Sequence, residues 1–554
     1  MTMVNTWPAD VGPSRTWTVY TRGNVGEVYP EVVLPLEADL AWRAAEAGWR
    51  TGAAEIGFAV PDDFADEPFV VMGVFGGYAY FNVSLMRLLG VRTPGMGPDL
   101  IDEQFLGEAD VPGYEPRPGD RRLRATLRTV ATALKTLRAD EVPLLDEMRR
   151  QVDRYRAGFP GLDADDDALF GYVRTSFTEA TEFFISSHVI NTMRATIAAG
   201  ALADFCQKHL GNPDLALELT TGIGDVVSAQ PAVELWRIAN ETPAPEHDAA
   251  FAAFLDAHGH RGPNEFSIHG RDWAAFPELA LAAIDTMRGL DPERSPEVQG
   301  RRMAERRLEA VEAAKARLGR RGRKLESLIA TVTLWSRARE ESKDLVVKAS
   351  QLGRHAYLEL VRRAAERGGV ADRTGPLLLT VAEFETYLAD PPSMVSTIGD
   401  RRADYEQLSA LEPPFAFDSA AHEHGYPPID TWSPRRTADT EGVESAVTGT
   451  ELSGAAGAPG TATGRARVVL DPGEPGDMAP GDVLIAPVTD PAWTPLFVGA
   501  AAVVVEIGAA MSHSMIVSRE LGIPCVVGVD DATLRIPDGA LVEVDGSSGT
   551  VRLL

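Results

Sequence analysis

The sequence predicts a multidomain protein, in which a large, mainly α-helical part at residues 1–436 precedes a small α/β (β/β/α) domain at 452–554. Three observations predict it. Long segments at 121–157, 168–210, 298–327 and 328–366 repeat apolar residues at helical spacing. A break rich in Gly, Ala, Ser and Thr, TADTEGVESAVTGTELSGAAGAPGTATG at 437–464, reads as a flexible linker, with 437–451 assigned to it. Beyond it, VVVEIGAAMSHSMIVSRELGIPCVVGV at 503–529 changes from a β-branched run to helical spacing and back. A chain of 554 residues has room for two to four domains.

Taken in order, FVVMGVFGGYAYFNVSL at 69–85 is the strand-like exception in the helical part, with aromatic, β-branched and glycine residues together. In the last domain a strand closed by Gly508 leads to a helix that is apolar at helical spacing from Met515 to Leu521. Ser512 is the candidate N-cap, and Gly522 with Pro524 marks the stop. Strand, helix and strand form a right-handed parallel unit whose first loop lies at the carboxyl edge of the sheet. His513 therefore falls at a helix N-terminus, where unsatisfied amides and the dipole disfavour an imidazolium and favour an anion. A neutral, nucleophilic imidazole that takes up a phosphoryl group benefits on both counts; a histidine that merely fills the loop is the alternative.

Composition excludes several classes. The net charge of −28 repels phosphate backbones and argues against nucleic acid as a partner. No apolar stretch of about 18 residues and no signal-peptide core are found, so a cytoplasmic protein with no membrane association is expected. Cys206 and Cys525 stand far apart in apolar surroundings, and His422 and His424 lie on a Pro-rich loop without further ligands. No disulfide and no metal site is expected. GRRGRK lacks the spacing of a phosphate-binding loop, and GVFGGYAYF is not a dinucleotide fingerprint.

From about Leu452 onward, GRARVVLDP, PGDVLIAPVTDP, TDPAWTPLFVGAAAVVVEIGAAMSHSMIVSRELGIPCVVG and IPDGALVEVDGSSGTVRLL resemble the phosphohistidine swivelling domain of the PEP-utilising enzymes. The resemblance implies that His513 is the phosphoryl carrier, with Gly508, Ser512 and Arg519 around its loop. Ala509 and Met511 depart from the usual glycine and threonine. The preceding part resembles the substrate-binding domain of rifampicin phosphotransferase-like proteins through three islands: NVGEVYPEVVLPL at 24–36, GHRGPNEFSIHGRDWAAFP at 259–277 and RAREESK at 337–343.

Each island has a chemistry. Arg339 and Lys343, four apart, project from one helix face, and two fixed cations there can stabilise a phosphoryl group in transit. A solvated helix face with Glu340 and Glu341 is the other reading of that pattern. His260, near Arg261 and Glu265, is either a general base with two substrate-binding neighbours or part of a buried polar network that fixes a Gly-Pro turn; Ser267 stands where relatives are acidic. Gly26, Pro30 and Pro35 among valines suggest an apolar pocket wall, drier for Leu34 in place of threonine, with Glu27 as its polar group. The run at 301–324, rich in Arg and Glu, reads as a solvated helix face, with docking of an acidic partner as the alternative.

Neither an ATP-grasp nucleotide domain nor a C-terminal barrel fits the sequence. The resemblance, including that to the split phenylphosphate and 4-methylphenyl phosphate synthases, therefore implies one subunit of a two-component phosphotransferase. A separate ATP-grasp partner, using ATP and Mg2+ that this chain does not itself bind tightly, would charge His513. The acceptor would be an apolar hydroxylated small molecule, a phenol such as a cresol. A non-catalytic small-molecule-binding protein and a subunit of an antibiotic-inactivating phosphotransferase are the alternatives.

Overall fold

A computed structural model describes residues 6–554 except 24, 65–66, 94–96, 108, 225–226, 436–444 and 509–511. Near the start, β1 (Val19–Thr21) precedes a long helix, α1 (Arg43–Ile56), and then a hairpin of β2 (Met72–Phe75) and β3 (Tyr78–Asn82). Gly76 and Gly77 form the two-residue turn with φ of 57° and 83°, the left-handed pair that a tight hairpin requires. The strand-like exception is thus a hairpin, and its strands are buried on both faces.

The amphipathic segments are helices, divided where local chemistry divides them. The segment at 121–157 becomes Leu123–Thr136 and Pro143–Ala157, the second opening on a proline in its first turn. The segment at 168–210 breaks at Thr178, after which α2 (Glu179–Leu210) runs for 32 residues. Next come α3 (Gln230–Asn240), α4 (Pro277–Met287), α5 (Pro296–Leu318) and the 45-residue α6 (Gly322–Glu366). Helices α2 and α6 lie side by side and share an apolar seam that includes Leu202, Cys206 and Leu210 of one and Leu325, Leu328 and Ile329 of the other. On the far side, α1 meets α2 closely: a Cβ at Gly52 would stand 2.7 Å from Val189 Cγ1. A late strand, β4 (Ala416–Asp418), completes an antiparallel sheet of order β2-β3-β1-β4.

One expectation for this region changes. Val32, Val33, Leu34 and Leu36 are core residues, with Leu36 wholly buried, so the 32–36 part of the first island is packed protein interior. Glu27 lies in a short helix, Val25–Val28, and its side chain is outside the described residues.

The C-terminal domain is an eight-stranded sheet. Its strands are β5 (Glu451–Ser453), β6 (Ala455–Ala458), β7 (Thr461–Val468), β8 (Val483–Ala486), β9 (Ala502–Val505), β10 (Cys525–Val527), β11 (Leu541–Asp545) and β12 (Thr550–Leu553). They are ordered β5-β12-β11-β7-β8-β9-β10-β6. The strands β7 to β10 are parallel, and β8, β9 and β10 are buried throughout, as expected of parallel strands covered on both faces.

The flexible reading of 437–464 does not hold over its described part. Residues 445–450 are tied to the sheet by backbone bonds from Ala446 to Arg535, Gly449 to Leu553 and Leu553 to Thr450, and β5, β6 and part of β7 follow. The small residues that suggested a loose chain serve close packing: a Cβ at Gly457 would stand 2.5 Å from the Cys525 carbonyl, and one at Gly454 equally close to that of Val527. Residues 437–444 of the assigned linker lie outside the described residues.

The two regions share a core. Leu235 and Trp236 of α3 and Ala280 and Ile284 of α4 pack with α7 (Thr494–Gly499), with Val503 and Val505, and with Met515 and Leu521 of α8 (His513–Leu521). Polar ties border it. The Asn264 N–H donates to Asp490 at 3.0 Å, Arg271 pairs with Asp471 at 2.6 Å, and Arg294 donates to the Gly499 carbonyl at 2.7 Å. Among the described residues, no helix is long and apolar enough to cross a membrane.

Candidate functional site

The site is built where the start of α8 meets the middle of α6. His513 opens α8, preceded by Ser512 in extended conformation, and Gly522, left-handed with φ of 66°, ends the helix as the sequence predicts. Ser512 occupies the N-cap position, but its hydroxyl makes no capping bond and lies 3.0 Å from that of Ser514. The backbone amides at the helix start are therefore not quenched by the expected cap. The loop at 509–511, with Ala509 and Met511, is outside the described residues. Gly508 fits its place because a Cβ there would meet Val527 Cβ at 2.9 Å. Arg519 donates to the Gly457 carbonyl at 2.8 Å and ties the helix to β6.

The His513 ring is partly buried, with Phe497 5.9 Å away between centroids. Its Nδ1 lies 3.3 Å from the Thr489 hydroxyl and its Nε2 3.3 Å from that of Thr494. Burial, and then the cations Lys343 and Arg261, push its pKa well below the ordinary histidine value, so the ring is neutral and keeps a lone pair. Both cations belong to the helical region, so the docked C-terminal domain presents His513 to the second and third islands.

Those islands form one buried cluster. The His260 ring, 1% exposed, donates from Nε2 to Asp344 at 2.7 Å, which fixes the tautomer and leaves the lone pair on Nδ1. Burial outweighs the pull of Asp344 and lowers the His260 pKa to about 4. Burial opposes ionisation of Asp344, but the His260 bond and then the charges of Arg261 and Lys348 hold its carboxyl below the usual range. Glu265 lies 3.4 Å from Arg261 and 3.5 Å from Lys343. Neither Glu265 oxygen, nor Nε and Nη1 of Arg261, nor Nδ1 of His260 has a hydrogen-bond partner although all are buried. Such atoms mark a place where a ligand's polar groups would be matched. Lys343 also stands 5.4 Å above the Phe266 ring, and Arg339 lies 3.4 Å from Glu340.

Sequence reasoning did not single out five residues of this constellation: Asp344, Asp490, Thr489, Thr494 and His188. Asp490 caps the turn Pro491–Trp493 and accepts from Asn264 across the seam; burial and then Glu265 raise its pKa to about 7. Asp-Pro-Ala-Trp was a readable capping signal for it. His188 of α2 accepts or donates at 2.9 Å with Ser342, and burial, then Arg339 and Lys343, lower its pKa to about 3. No sequence signal points to it. Among the described residues, no group of three His, Cys, Asp or Glu side chains could hold a metal ion.

Residues 478–549 match the family described as PEP-utilising enzyme, mobile domain, and residues 240–340 match the rifampicin phosphotransferase fourth domain. The chain fits the PEP-utilising enzyme and rifampicin phosphotransferase-like family. Its mobile-domain match contains His513, and the fourth-domain match contains His260, Arg261, Glu265 and Arg339. A rifampicin phosphotransferase of Streptomyces sp is 30% identical over 422 residues, which cover 70% of this chain and 47% of that protein. The prodigiosin synthesizing transferase of Serratia marcescens is 24% identical over 605 residues, covering 100% of this chain and 64% of that protein. An uncharacterised protein of Mycobacterium tuberculosis is 32% identical over 327 residues, 59% of this chain and 33% of that protein. The chain spans less than two thirds of the length of each.

Proposed function

We propose that the chain is the acceptor and carrier part of a phosphotransferase, in which His513 takes up a phosphoryl group and passes it to the hydroxyl of a small molecule. Residues 1–436 act as the acceptor domain and 452–554 as the carrier. The observation that carries the reading is His513 at the start of α8, between the Thr489 and Thr494 hydroxyls and within electrostatic reach of Lys343 and Arg261 of the other region.

ATP with Mg2+, handled by a separate ATP-grasp subunit in a heteromeric complex, supplies the phosphoryl group. During delivery the N–P bond at His513 breaks, a bond forms from phosphorus to the acceptor oxygen, and the hydroxyl proton passes to a base. The base is His260, whose Nδ1 lone pair is fixed by Asp344. Lys343, Arg339 and Arg261 hold the moving charge, and Glu265 serves as their counter-ion when no phosphoryl group is present. The acceptor is an apolar phenol, with a cresol as its simplest form, and the reaction is cytoplasmic. The relative named rifampicin phosphotransferase favours a second reading, with a larger antibiotic as the acceptor.

The test is charging. The purified chain is mixed with β-labelled ATP and Mg2+, with and without extract of its source cells, beside His513→Ala. Acid-labile label that requires both extract and His513 is expected. No label in any mixture overturns the proposal and leaves a non-catalytic binding protein.

A further inference from the structure

The seam between α2 and α6 is largely apolar, with buried polar side chains gathered at one level. On α2 the face that meets α6 carries Ala180, Phe184, Ala195, Ala198 and Leu202, and between Phe184 and Ala195 stand Ser187, His188 and Asn191. The opposing face of α6 carries Trp335, Ala338, Leu345 and Ala349, interrupted by Ser342. His188 bonds Ser342, so one of the interruptions is answered by the other. Asn191 is not answered. Its side chain is wholly buried, yet neither its amide nitrogen nor its oxygen has a hydrogen-bond partner.

Its height along the seam is fixed by two contacts. His188 meets Ser342 at one end, and the Arg194 guanidinium lies 5.0 Å over the Trp335 ring at the other. The helices run antiparallel here, and Asn191, midway between His188 and Arg194, falls level with Ala338 and Arg339. A buried amide that offers a donor and an acceptor therefore sits beside the cations assigned to delivery. It is one helical turn from a histidine that burial, and then those same cations, keep neutral.

We propose that Asn191 and His188 form an acceptor-recognition site, which reads a neutral carbonyl or carboxamide-type group carried by the molecule that is phosphorylated. The inference rests on the phosphotransfer reading and narrows its substrate class, from any apolar phenol to one that also carries such a group. The cations at this level are already answered, Arg339 by Glu340 at 3.4 Å and Lys343 by Glu265 at 3.5 Å, so a ligand carboxylate would compete with those pairs. A neutral group with both donor and acceptor matches the amide, whereas a carboxylate leaves the Asn191 oxygen without a donor.

Binding of three probes to the full chain tests this by calorimetry: p-cresol, 4-hydroxybenzamide, and 4-hydroxybenzoate as the charged control. We expect 4-hydroxybenzamide to bind at least tenfold more tightly than either of the others. Asn191→Leu, close in volume, should erase that preference while p-cresol affinity stays within about twofold. It should also melt no lower than the wild type, because an unmatched buried amide is removed; if it does not fold, Asn191→Ala takes its place. Equal affinity for cresol and the benzamide, a preference that survives the substitution, or no heat with any probe overturns the site. Labelling of His513 is scored separately: label without amide preference removes this site alone, and amide preference without label removes the transfer reading alone.

Discussion

His513 and His260 are both neutral, both shifted in the same direction, and held in opposite ways. His513 rests between two threonine hydroxyls at 3.3 Å on a helix that belongs to a docked domain. His260 is clamped at 2.7 Å by Asp344, itself paired with Lys348 at 3.0 Å and Arg261 at 3.6 Å. The first neighbourhood leaves a nucleophile only lightly held. The second fixes one nitrogen of a base and the cations beside it. A lowered pKa alone would not separate these tasks; the partners of each ring do.

The sharpest way to break the comparison is His513→Ala, which should abolish acid-labile label, whereas His260→Ala should leave charging at the wild-type level and slow delivery. Next, Asp344→Ala strips the clamp and leaves buried cationic groups without their carboxylate. It should destabilise the protein by about 3–5 kcal/mol, read by urea unfolding at pH 7. A variant as stable as the wild type would show that the clamp is not structural. Arg339→Ala or Lys343→Ala should keep charging and slow delivery about 10²–10³-fold in single-turnover transfer, the size found when one preorganised donor is lost.

Acid should separate the two regions further. The folded pKa of His260 is about 4, below an unfolded value near 6.5, so between those values the unfolded chain binds more protons. Its contribution is whole above about pH 6.5 and is lost as pH falls through 4, worth about 3 kcal/mol for this nearly inaccessible ring. His260→Gln should flatten that part of the stability curve. The smallest effect is expected at Ser512→Ala, below about 1 kcal/mol, since the hydroxyl makes no capping bond. Thr380→Ala, which breaks a complete capping box, is the control and should cost more.

Local chemistry was legible in the sequence, and long-range partnership was not. The glycine stop at Gly522, the strand-like character of 69–85 and the four main amphipathic segments follow from spacing and backbone preference, which act within a few residues. Asp344 meets His260 across 84 positions and Asp490 meets Asn264 across 226, separations that no periodicity encodes. Lys343 and His260 were visible as chemical types, but their joint presence before His513 depends on how two regions dock. The misread stretch at 445–464 has its own lesson: glycine reports a need for small volume as readily as a need for freedom, and Gly454 and Gly457 serve the first.

The apolar seat beneath the C-terminal domain gives its docking a temperature dependence. Trp236, Ile284, Phe497 and Met515 belong to one buried apolar cluster drawn from both regions. Contacts of this kind weaken on cooling. The docked share of molecules should therefore fall in the cold and recover on warming, so that temperature sets how often His513 faces Lys343.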